Sequence, residues 1–329
     1  MFGSIGFAYL KGSKFDCDHK KWRLFADVIN DVGYMLDIMS PHMYFGFAFM
    51  QCSSSLVKAL VGVAGGATRA SLVQHQAKNN NMADIQAKDG SQETLTNLIA
   101  LCFSLLLIPL VADNSNFVWS LYLIFTIIHL FANYRGVKSL KIPIFNLSRF
   151  GIAVRRFLRQ EGSLGLHVIN DLEPVWFFSG CSFGNRLNLG LPLKSHVNKL
   201  KLLQLLCEIY ADDKYILTID ARSKGINVSF AENSDNMTTL TACFQAVLII
   251  QALDMDVNDN DNLDFRVQSL GRLAQAGDRQ IELLKQSKSL VHDIFPSFLK
   301  EVHSQGWDLS RCLISQGDWK YSLINNKQE

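Results

Sequence analysis

The chain has 329 residues and a formal net charge of +2, and charged residues make up 19% of it. Soluble domains average about 25% charged residues. The deficit is local, because residues 38–134 hold only 8 charged side chains, whereas the other 232 positions hold 54. This distribution excludes a disordered, fibrous or uniformly soluble chain, and the small net charge gives no field that would attract nucleic acid. We therefore expect a lipid bilayer, and not nucleic acid, as the partner of the apolar third.

The first predicted element is an amphipathic helix over residues 22–39, whose apolar side chains recur at helical spacing. Asp27 and Asp31 lie one turn apart on its polar face. Paired carboxylates beside a membrane can relay protons or hold a cation, although a solvated face explains them equally well. Together with His129, which lies inside a later apolar window, they are candidate proton or ion ligands. A hydrogen bond between helices is the alternative role for His129.

Three uncharged windows are long enough to cross a bilayer, at about 28–32 Å each. They predict spans near residues 43–64, 94–112 and 117–134. Only four residues, Asp113 to Asn116, separate the last two windows, which predicts an antiparallel helical hairpin. The alternative is a pair of buried helices in a soluble bundle, but these segments are apolar on all faces. The basic flank after the hairpin is expected on the cytosolic side.

Small residues follow the first window, and Gly62 and Gly66 form a GxxxG pattern. This pattern lets two helices approach closely in lipid, or else it marks a hinge that ends a helix. The first residues contain no basic region ahead of a short apolar stretch, so we expect an internal helix to act as the insertion signal.

A polar insert, residues 65–93, lies between the first two spans, and its three basic side chains balance its three acidic ones. Polar groups at membrane depth are tolerated only against protein or a water-filled cavity. Arginine suits a carboxylate or phosphate group, so the insert is a candidate site for a small charged metabolite. A cytosolic helical hairpin whose polar residues cap and interlock its helices is the alternative. The candidate ligand-binding residues are Arg69, His75, Asn81, Asp84, Lys88, Asp89 and Glu93.

The remainder of the chain predicts a basic amphipathic linker and then a small α+β domain. Residues 144–159 favour a basic helix that lies on anionic headgroups, or a solvated connecting helix. Alternating residues in KYILTID and GINVSFAE predict a β-hairpin. Residues 236–253 are uncharged, which favours a core helix packed on that hairpin, with a fourth span as the alternative. We expect helix over 266–304 and a strand at LSRCLIS.

The sequence offers little for catalysis or metal binding. Its seven cysteines are scattered and form no CxxC pair, which favours reduced thiols over disulfides or a zinc site. The acidic run at residues 254–264 has Asp259 where an EF-hand loop needs glycine and Phe265 where it needs glutamate. We therefore predict no catalytic residues, no metal and no cofactor, and we lean towards a protein that is not an enzyme.

Several stretches resemble the root UV-B-sensitive family, whose members are widespread in eukaryotes. The resemblance rests on KGSKFDCDHKKWRLFADVINDVGYMLDIMSP, VAGGATRASLVQHQAKNNNMADIQAKDGSQETLTNL, HLFANYRGVKSL and DLEPVW. It implies an integral membrane protein of an organelle or internal membrane, not a secreted one, and a link to vitamin B6 balance. It implies no catalytic residues. Members usually carry extra sequence ahead of this start, so we expect a shortened N-terminus.

These inferences combine into one expected architecture, a mainly α protein with a helical membrane region followed by a small α+β domain. The expected boundaries are 1–143 for the membrane region, 144–188 for the linker and 189–329 for the cytosol-facing domain. We expect a multi-pass membrane protein that carries or senses a small charged, vitamin B6-like metabolite. The alternative is a membrane-anchored adaptor acting through its C-terminal domain. A second copy or another family member is the expected protein partner.

Overall fold

The computed structural model confirms a mainly α chain, with a helical N-terminal region and a smaller C-terminal region that contains the strands. The residues that it describes are 2–43, 46–111, 114–176, 183, 186–197, 199–220, 223–255, 264–275 and 279–322. The chain divides into two units, which are described separately. The first comprises Met1–Leu140 and Val175–Phe178, and the second comprises Lys141–Pro174 and Ser179–Glu329.

The described residues of the first unit form five α-helices. They are α1 (Phe2–Cys17), α2 (His19–Met39), α3 (Phe47–Gln76), α4 (Met82–Val111) and α5 (Ser115–Ser139), with a short 3-10 turn at Ser40–His42. Trp22 of α2 lies between the rings of Phe7, Phe15 and Phe25, with centroid distances of 5.1–5.8 Å. This aromatic cluster packs against the buried Ala64 of α3 and fixes α1 and α2 on that helix.

Helices α2 and α3 approach closely at Gly33. A Cβ atom added there would lie 3.3 Å from the Lys58 side chain and 3.5 Å from that of Val57. The Ser54 hydroxyl donates a 3.1 Å hydrogen bond to the Gly33 carbonyl. A residue without a side chain is thus what allows the two backbones to come together.

Helices α3, α4 and α5 are each long and apolar enough to cross a membrane. α4 has no buried residue, and apolar side chains are exposed over much of its surface; Leu98, Ile99, Leu105, Leu106 and Leu110 are each more than half exposed. Val111 near the end of α4 and Val118 near the start of α5 line one cavity, so the two helices form a hairpin. Asp113 of the predicted turn lies outside the described residues.

The helices extend further than the uncharged windows, which corrects the predicted polar insert. Residues 65–93 are not a separate element, because α3 continues to Gln76 and α4 already begins at Met82. α3 passes through Gly62 and Gly66 without ending, so the hinge interpretation is wrong. Backbone hydrogen bonds hold a helix together whether its side chains are apolar or polar. A charged residue therefore ends an uncharged window without ending the helix.

In the described part of the second unit, helices and two small sheets surround an apolar core. Its helices are α6 (Leu147–Leu158), α7 (Leu166–Leu172), α8 (Leu193–His196), α9 (Leu200–Ile209), α10 (Asn236–Asp254), α11 (Phe265–Gln275) and α12 (Gln280–Ser304). Its strands are β1 (Ile144–Asn146), β2 (Leu187–Leu189), β3 (Tyr215–Asp220), β4 (Gly225–Ala231), β5 (Asp308–Leu313) and β6 (Lys320–Tyr321).

The predicted β-hairpin is confirmed as the antiparallel pair β3–β4, with Tyr215 opposite Phe230 and Asp220 opposite Gly225. β4 pairs in parallel with β2 and, further along, with β6, and β1 pairs in parallel with β5. α10 has the length and composition of a span, yet 72% of its apolar window is buried in the second unit. Its predicted role as a core helix is therefore the one that the packing shows.

Residues 144–172 are not a surface linker, which corrects that part of the predicted domain organisation. Phe150, Ala153 and Val154 of α6 are fully buried in the core of the second unit, and the Phe150 ring meets that of Phe298 of α12 edge to face at 5.7 Å. The apolar stripe of α6 was recognised correctly, but it packs against other helices of its own unit and not against headgroups.

Candidate ligand-binding site

The polar ends of α3 and α4 meet in a cluster of three charged side chains. The Arg69 guanidinium of α3 bonds to the Asp89 carboxylate through Nε at 2.7 Å and Nη2 at 2.6 Å, and its Nη1 lies 2.6 Å from Oε2 of Glu93. Asp89 and Glu93 are four residues apart on α4, so they share one helix face. The planar fork of arginine is what allows it to bind two carboxylates at once.

This cluster lines a cavity of about 630 Å³, which we call the Arg69 cavity. Its wall also contains Arg23 of α2, Asn133 of α5, and the backbone at Gly65, Gly66 and Gly136. A Cβ atom at any of these three glycines would meet no atom within 4 Å, so the backbone there is open to the cavity. The volume falls within the roughly 300–1,000 Å³ typical of small-molecule sites.

The charges around the Arg69 cavity are balanced. Two guanidinium groups, Arg23 and Arg69, face two carboxylates, Asp89 and Glu93, and Gln76, Gln92 and Asn133 add amide groups. Such a wall offers partners to both ends of a zwitterion, or to an anion attached to a hydrogen-bonding ring. It is less suited to a purely apolar ligand.

The other predicted ligand residues lie outside the cavity wall. Asp84 and Lys88 form a 2.9 Å ion pair along the exposed start of α4, and the Asn81 amide lies 3.5 Å from the Asp84 carboxylate. His75 is half-buried near the end of α3. The structure thus brings together Arg69, Asp89 and Glu93, and it separates them from the remaining four.

Sequence reasoning did not single out Arg23, Asn133 or Gly136, because α2 and α5 are far from the insert along the chain. Asn133 and Gly136 nevertheless belong to HLFANYRGVKSL, and Arg23 belongs to the first stretch that carried the family resemblance. Those two motifs were therefore the features of the sequence that could have pointed to Arg23, Asn133 and Gly136.

The candidate proton ligands form a second cluster in the same unit. Nδ1 of His129 lies 3.0 Å from Oδ2 of Asp31, and the Tyr122 hydroxyl donates to the Asp31 carbonyl at 2.9 Å. Asp27, one turn earlier on α2, faces the Nε atom of Arg23 at 3.9 Å. His129 therefore does join two helices, and the partner that it meets is an acidic side chain.

The polar groups of the second unit support its fold. Arg149 is fully buried, and its Nη1 donates to both carboxylate oxygens of Glu173, at 2.9 and 3.0 Å. The Asn146 amide donates to the same carboxylate at 2.8 Å and is itself buried. Arg149 therefore does not contribute to a basic membrane-facing surface.

His196 joins α8 to the sheet. Its Nε2 lies 2.8 Å from the Ser229 hydroxyl, and its Nδ1 lies 2.8 Å from that of Thr218. Because Ser229 donates its own proton to the Leu191 carbonyl at 2.7 Å, Nε2 carries the hydrogen and Nδ1 accepts one. Burial lowers the pKa of His196 from its usual value, which favours this neutral form.

Within the described residues, no group of three or more His, Cys, Asp or Glu side chains is arranged to hold a metal ion. The acidic run at 254–264 falls largely on residues 256–263, outside the described part of the chain. At its two ends, Asp254 pairs with Arg186 at 2.7 Å and Asp264 pairs with Arg266 at 2.8 Å.

Two family models together match almost the whole chain. The "Vitamin B6 photo-protection and homoeostasis domain" matches residues 1–161, and "Root UVB sensitive protein, C-terminal" matches residues 163–323. The boundary at residue 162 lies between α6 and α7. The first model thus includes both clusters of the first unit.

Curated relatives agree with the family models. "Protein root UVB sensitive 3" of Arabidopsis thaliana is 29% identical over 99% of this chain and 71% of its own length. "RUS family member 1" of Dictyostelium discoideum is 40% identical over 54% of this chain and 34% of its own length. "Protein root UVB sensitive 5" of Arabidopsis thaliana is 26% identical over 91% of this chain. The chain spans 56% of that last relative, so these proteins contain sequence that has no counterpart here.

No solved structure matches the chain. The matches of both family models and the agreement of the relatives decide its family. The chain belongs to the root UV-B-sensitive family.

Proposed function

We propose that this chain is a multi-pass membrane protein that binds and carries a small charged metabolite in the Arg69 cavity. Membrane insertion is supported by α4 and α5, which leave long apolar surfaces uncovered. Apolar side chains on all faces of a helix are stable in lipid, whereas in water they would associate. The observation that carries the binding proposal is the convergence of Arg69, Asp89 and Glu93 on one open cavity.

The proposed ligand class is that of the phosphorylated vitamin B6 compounds. One of the family models that match the chain is described by vitamin B6 photo-protection and homoeostasis. Such a compound joins a phosphate group to a pyridine ring that bears polar substituents. A guanidinium group binds phosphate with its planar fork, and the carboxylates and amides of the wall suit the amine and ring substituents.

Binding is tested with pyridoxamine 5′-phosphate and the purified full chain in lipid nanodiscs, by isothermal titration calorimetry. The amine form is chosen because the aldehyde form reacts with surface lysines. Arg69→Gln is expected to weaken binding at least tenfold, since it removes one of the two guanidinium groups of the cavity wall and leaves Asp89 and Glu93 without their cation. Arg69 and its two partners are all 39–54% exposed, so the loss of their ion pairs costs little stability.

Lys88→Gln is the matched control, because it removes a cation and an ion pair from the same helical hairpin but outside the cavity wall. Its affinity is expected to equal that of the wild type. Equal affinity in the Arg69→Gln variant, or no heat of binding to the wild type at millimolar ligand, would contradict the ligand proposal.

Membrane insertion is tested separately by alkaline carbonate extraction of membranes from cells that express the full chain. We expect the chain to stay in the membrane pellet, because α4 and α5 hold it through apolar burial and not through charge. Release of the intact chain into the supernatant would refute insertion.

A further inference from the structure

A second cavity of the first unit, of about 580 Å³, lies between α2 and the hairpin of α4 and α5, and we call it the Asp31 cavity. Its two sides differ in chemistry. α4 and α5 contribute apolar side chains, among them Leu107, Leu121 and Phe125, whereas α2 contributes the carboxylates of Asp31 and Asp37. A cavity with an apolar wall and a few convergent polar groups is typical of sites for small organic molecules.

The charged side chains on the described wall of the Asp31 cavity favour a positively charged ligand. Asp31 and Asp37 provide two carboxylates, and no Lys or Arg side chain belongs to the described wall. Nδ1 of His129, on the opposite side, lies 3.0 Å from Oδ2 of Asp31 and fixes the position of that carboxylate. Asp31 is only 8% exposed, so water screens its attraction for a cation in the cavity only weakly.

One ammonium group already binds beside this wall. Nζ of Lys58, on α3, forms an ion pair with the Asp37 carboxylate and lies 5.1 Å from the centroid of the Tyr34 ring. Tyr34, like Asp37, lines the Asp31 cavity. A carboxylate combined with an aromatic face attracts organic ammonium groups. Lys58 thus shows which chemistry the α2 side of the cavity accepts, and it competes with a ligand for the same two side chains.

We propose that the Asp31 cavity binds an organic cation that joins an ammonium group to an apolar body. The ammonium group contacts the carboxylates of Asp31 and Asp37 and the ring of Tyr34. The apolar body packs against the opposite side of the cavity, where Leu107 and Phe125 lie. The two sides of the cavity therefore select two ends of one ligand, and a hydrated inorganic cation lacks the second end.

This site goes beyond the proposed function, because it uses a different cavity and a ligand without an anionic group. A chain that fails to bind pyridoxamine 5′-phosphate can still bind an organic cation, and the reverse also holds. The two proposals therefore stand or fall on separate measurements.

Binding is tested with phenyltrimethylammonium and the purified full chain in phosphatidylcholine nanodiscs, by isothermal titration calorimetry. This probe carries a permanent positive charge next to an aromatic ring. Empty nanodiscs of the same lipid, whose headgroups have no net charge, provide the background. We expect the wild type to bind the probe at millimolar or lower concentration, with heat above that background.

Lys58→Met removes the competing ammonium group and is expected to strengthen binding at least threefold. Methionine keeps a chain that reaches as far as Cε, so the close contact with Gly33 is retained. A gain of affinity does not arise from misfolding, which makes this variant the sharper one. Lys88→Met is the matched control, because it removes a cation from an exposed ion pair with Asp84, outside the cavity wall. Its affinity is expected to equal that of the wild type.

Asp31→Asn keeps the shape of the side chain but removes one of the two carboxylates, and it is expected to weaken binding at least fivefold. Asp84→Asn is its matched control, since Asp84 lies outside the cavity wall, and its affinity is expected to be unchanged. A wild type that gives no heat above empty nanodiscs at millimolar probe overturns the proposal, even if no variant folds. An unchanged affinity in folded Asp31→Asn overturns it as well, and so does an affinity in folded Lys58→Met that is not higher than that of the wild type.

Discussion

The buried ion pair of the second unit gives a prediction whose size follows from its geometry. Glu173→Gln keeps the shape of the side chain but leaves the Arg149 cation without a counter-charge at a position that is 0% exposed. Of the two charge-assisted hydrogen bonds, of 2.9 and 3.0 Å, one is lost because an amide nitrogen cannot accept, and the other becomes weaker. Breaking one partner of a buried pair costs about 3–5 kcal/mol. The equilibrium constant for local opening of the segment around Arg149 is then expected to rise by about two to nearly four orders of magnitude.

Hydrogen–deuterium exchange of the full chain measures this change without requiring the whole protein to unfold in one step. Peptides that cover residues 144–158 are expected to exchange faster in Glu173→Gln, because β1 and α6 carry Asn146 and Arg149. Peptides from α4, in the other unit, provide the internal reference. The double variant Arg149→Met with Glu173→Gln has no unpaired buried charge and is expected to recover at least about 1 kcal/mol.

The reasoning would be refuted by an exchange rate at residues 144–158 that differs less than about fivefold between Glu173→Gln and wild type, equivalent to about 1 kcal/mol. Such a result would mean that water reaches the pair during ordinary fluctuations. A double variant as unstable as the sum of its single variants would also contradict it, because coupled charges are not additive.

Three further predictions concern the second unit. Asp235 caps α10, and hydrogen bonds from the Thr238 hydroxyl and backbone N–H lower the pKa of its carboxyl group. Asp235→Ala is expected to lower the stability of α10 by about 1 kcal/mol, measured by hydrogen exchange at pH 7. This stability difference between variant and wild type should vanish once the pH falls below the lowered pKa of Asp235. Burial lowers the pKa of His196 in the folded protein. The stability that neutral His196 contributes is therefore complete above about pH 6.5 and is lost as the pH falls through its pKa in the folded state. The stability difference between wild type and His196→Gln should shrink between pH 7 and 5. Burial, with smaller contributions from Cys207 and Asp213, raises the pKa of Tyr321 to about 12, so Tyr321→Phe should leave the 295 nm absorbance unchanged up to pH 10.5 and lower it only above that.

The extent of the helices in the first unit was only partly predictable. The predicted spans near 43–64, 94–112 and 117–134 each overlap one long helix, α3, α4 or α5, because bilayer thickness sets the length of an apolar segment. The windows ended at charges, yet α4 begins at Met82, 12 residues before its window. Those 12 residues include Asp89 and Glu93, whose partner Arg69 lies on another helix. Only the packing of α3 against α4 shows that Asp89 and Glu93 have a cationic partner while they lie within a helix.

The second unit shows a different reason for a missed assignment. The sequence around α6 has an apolar stripe and many arginines, which predicted either a headgroup-binding helix or a solvated connecting helix, and not a buried one. The decisive residue is Glu173, which is 24 residues further along the chain and buries Arg149 by pairing with it. A partner so distant in sequence is visible only after folding, although its motif DLEPVW had already contributed to the family resemblance.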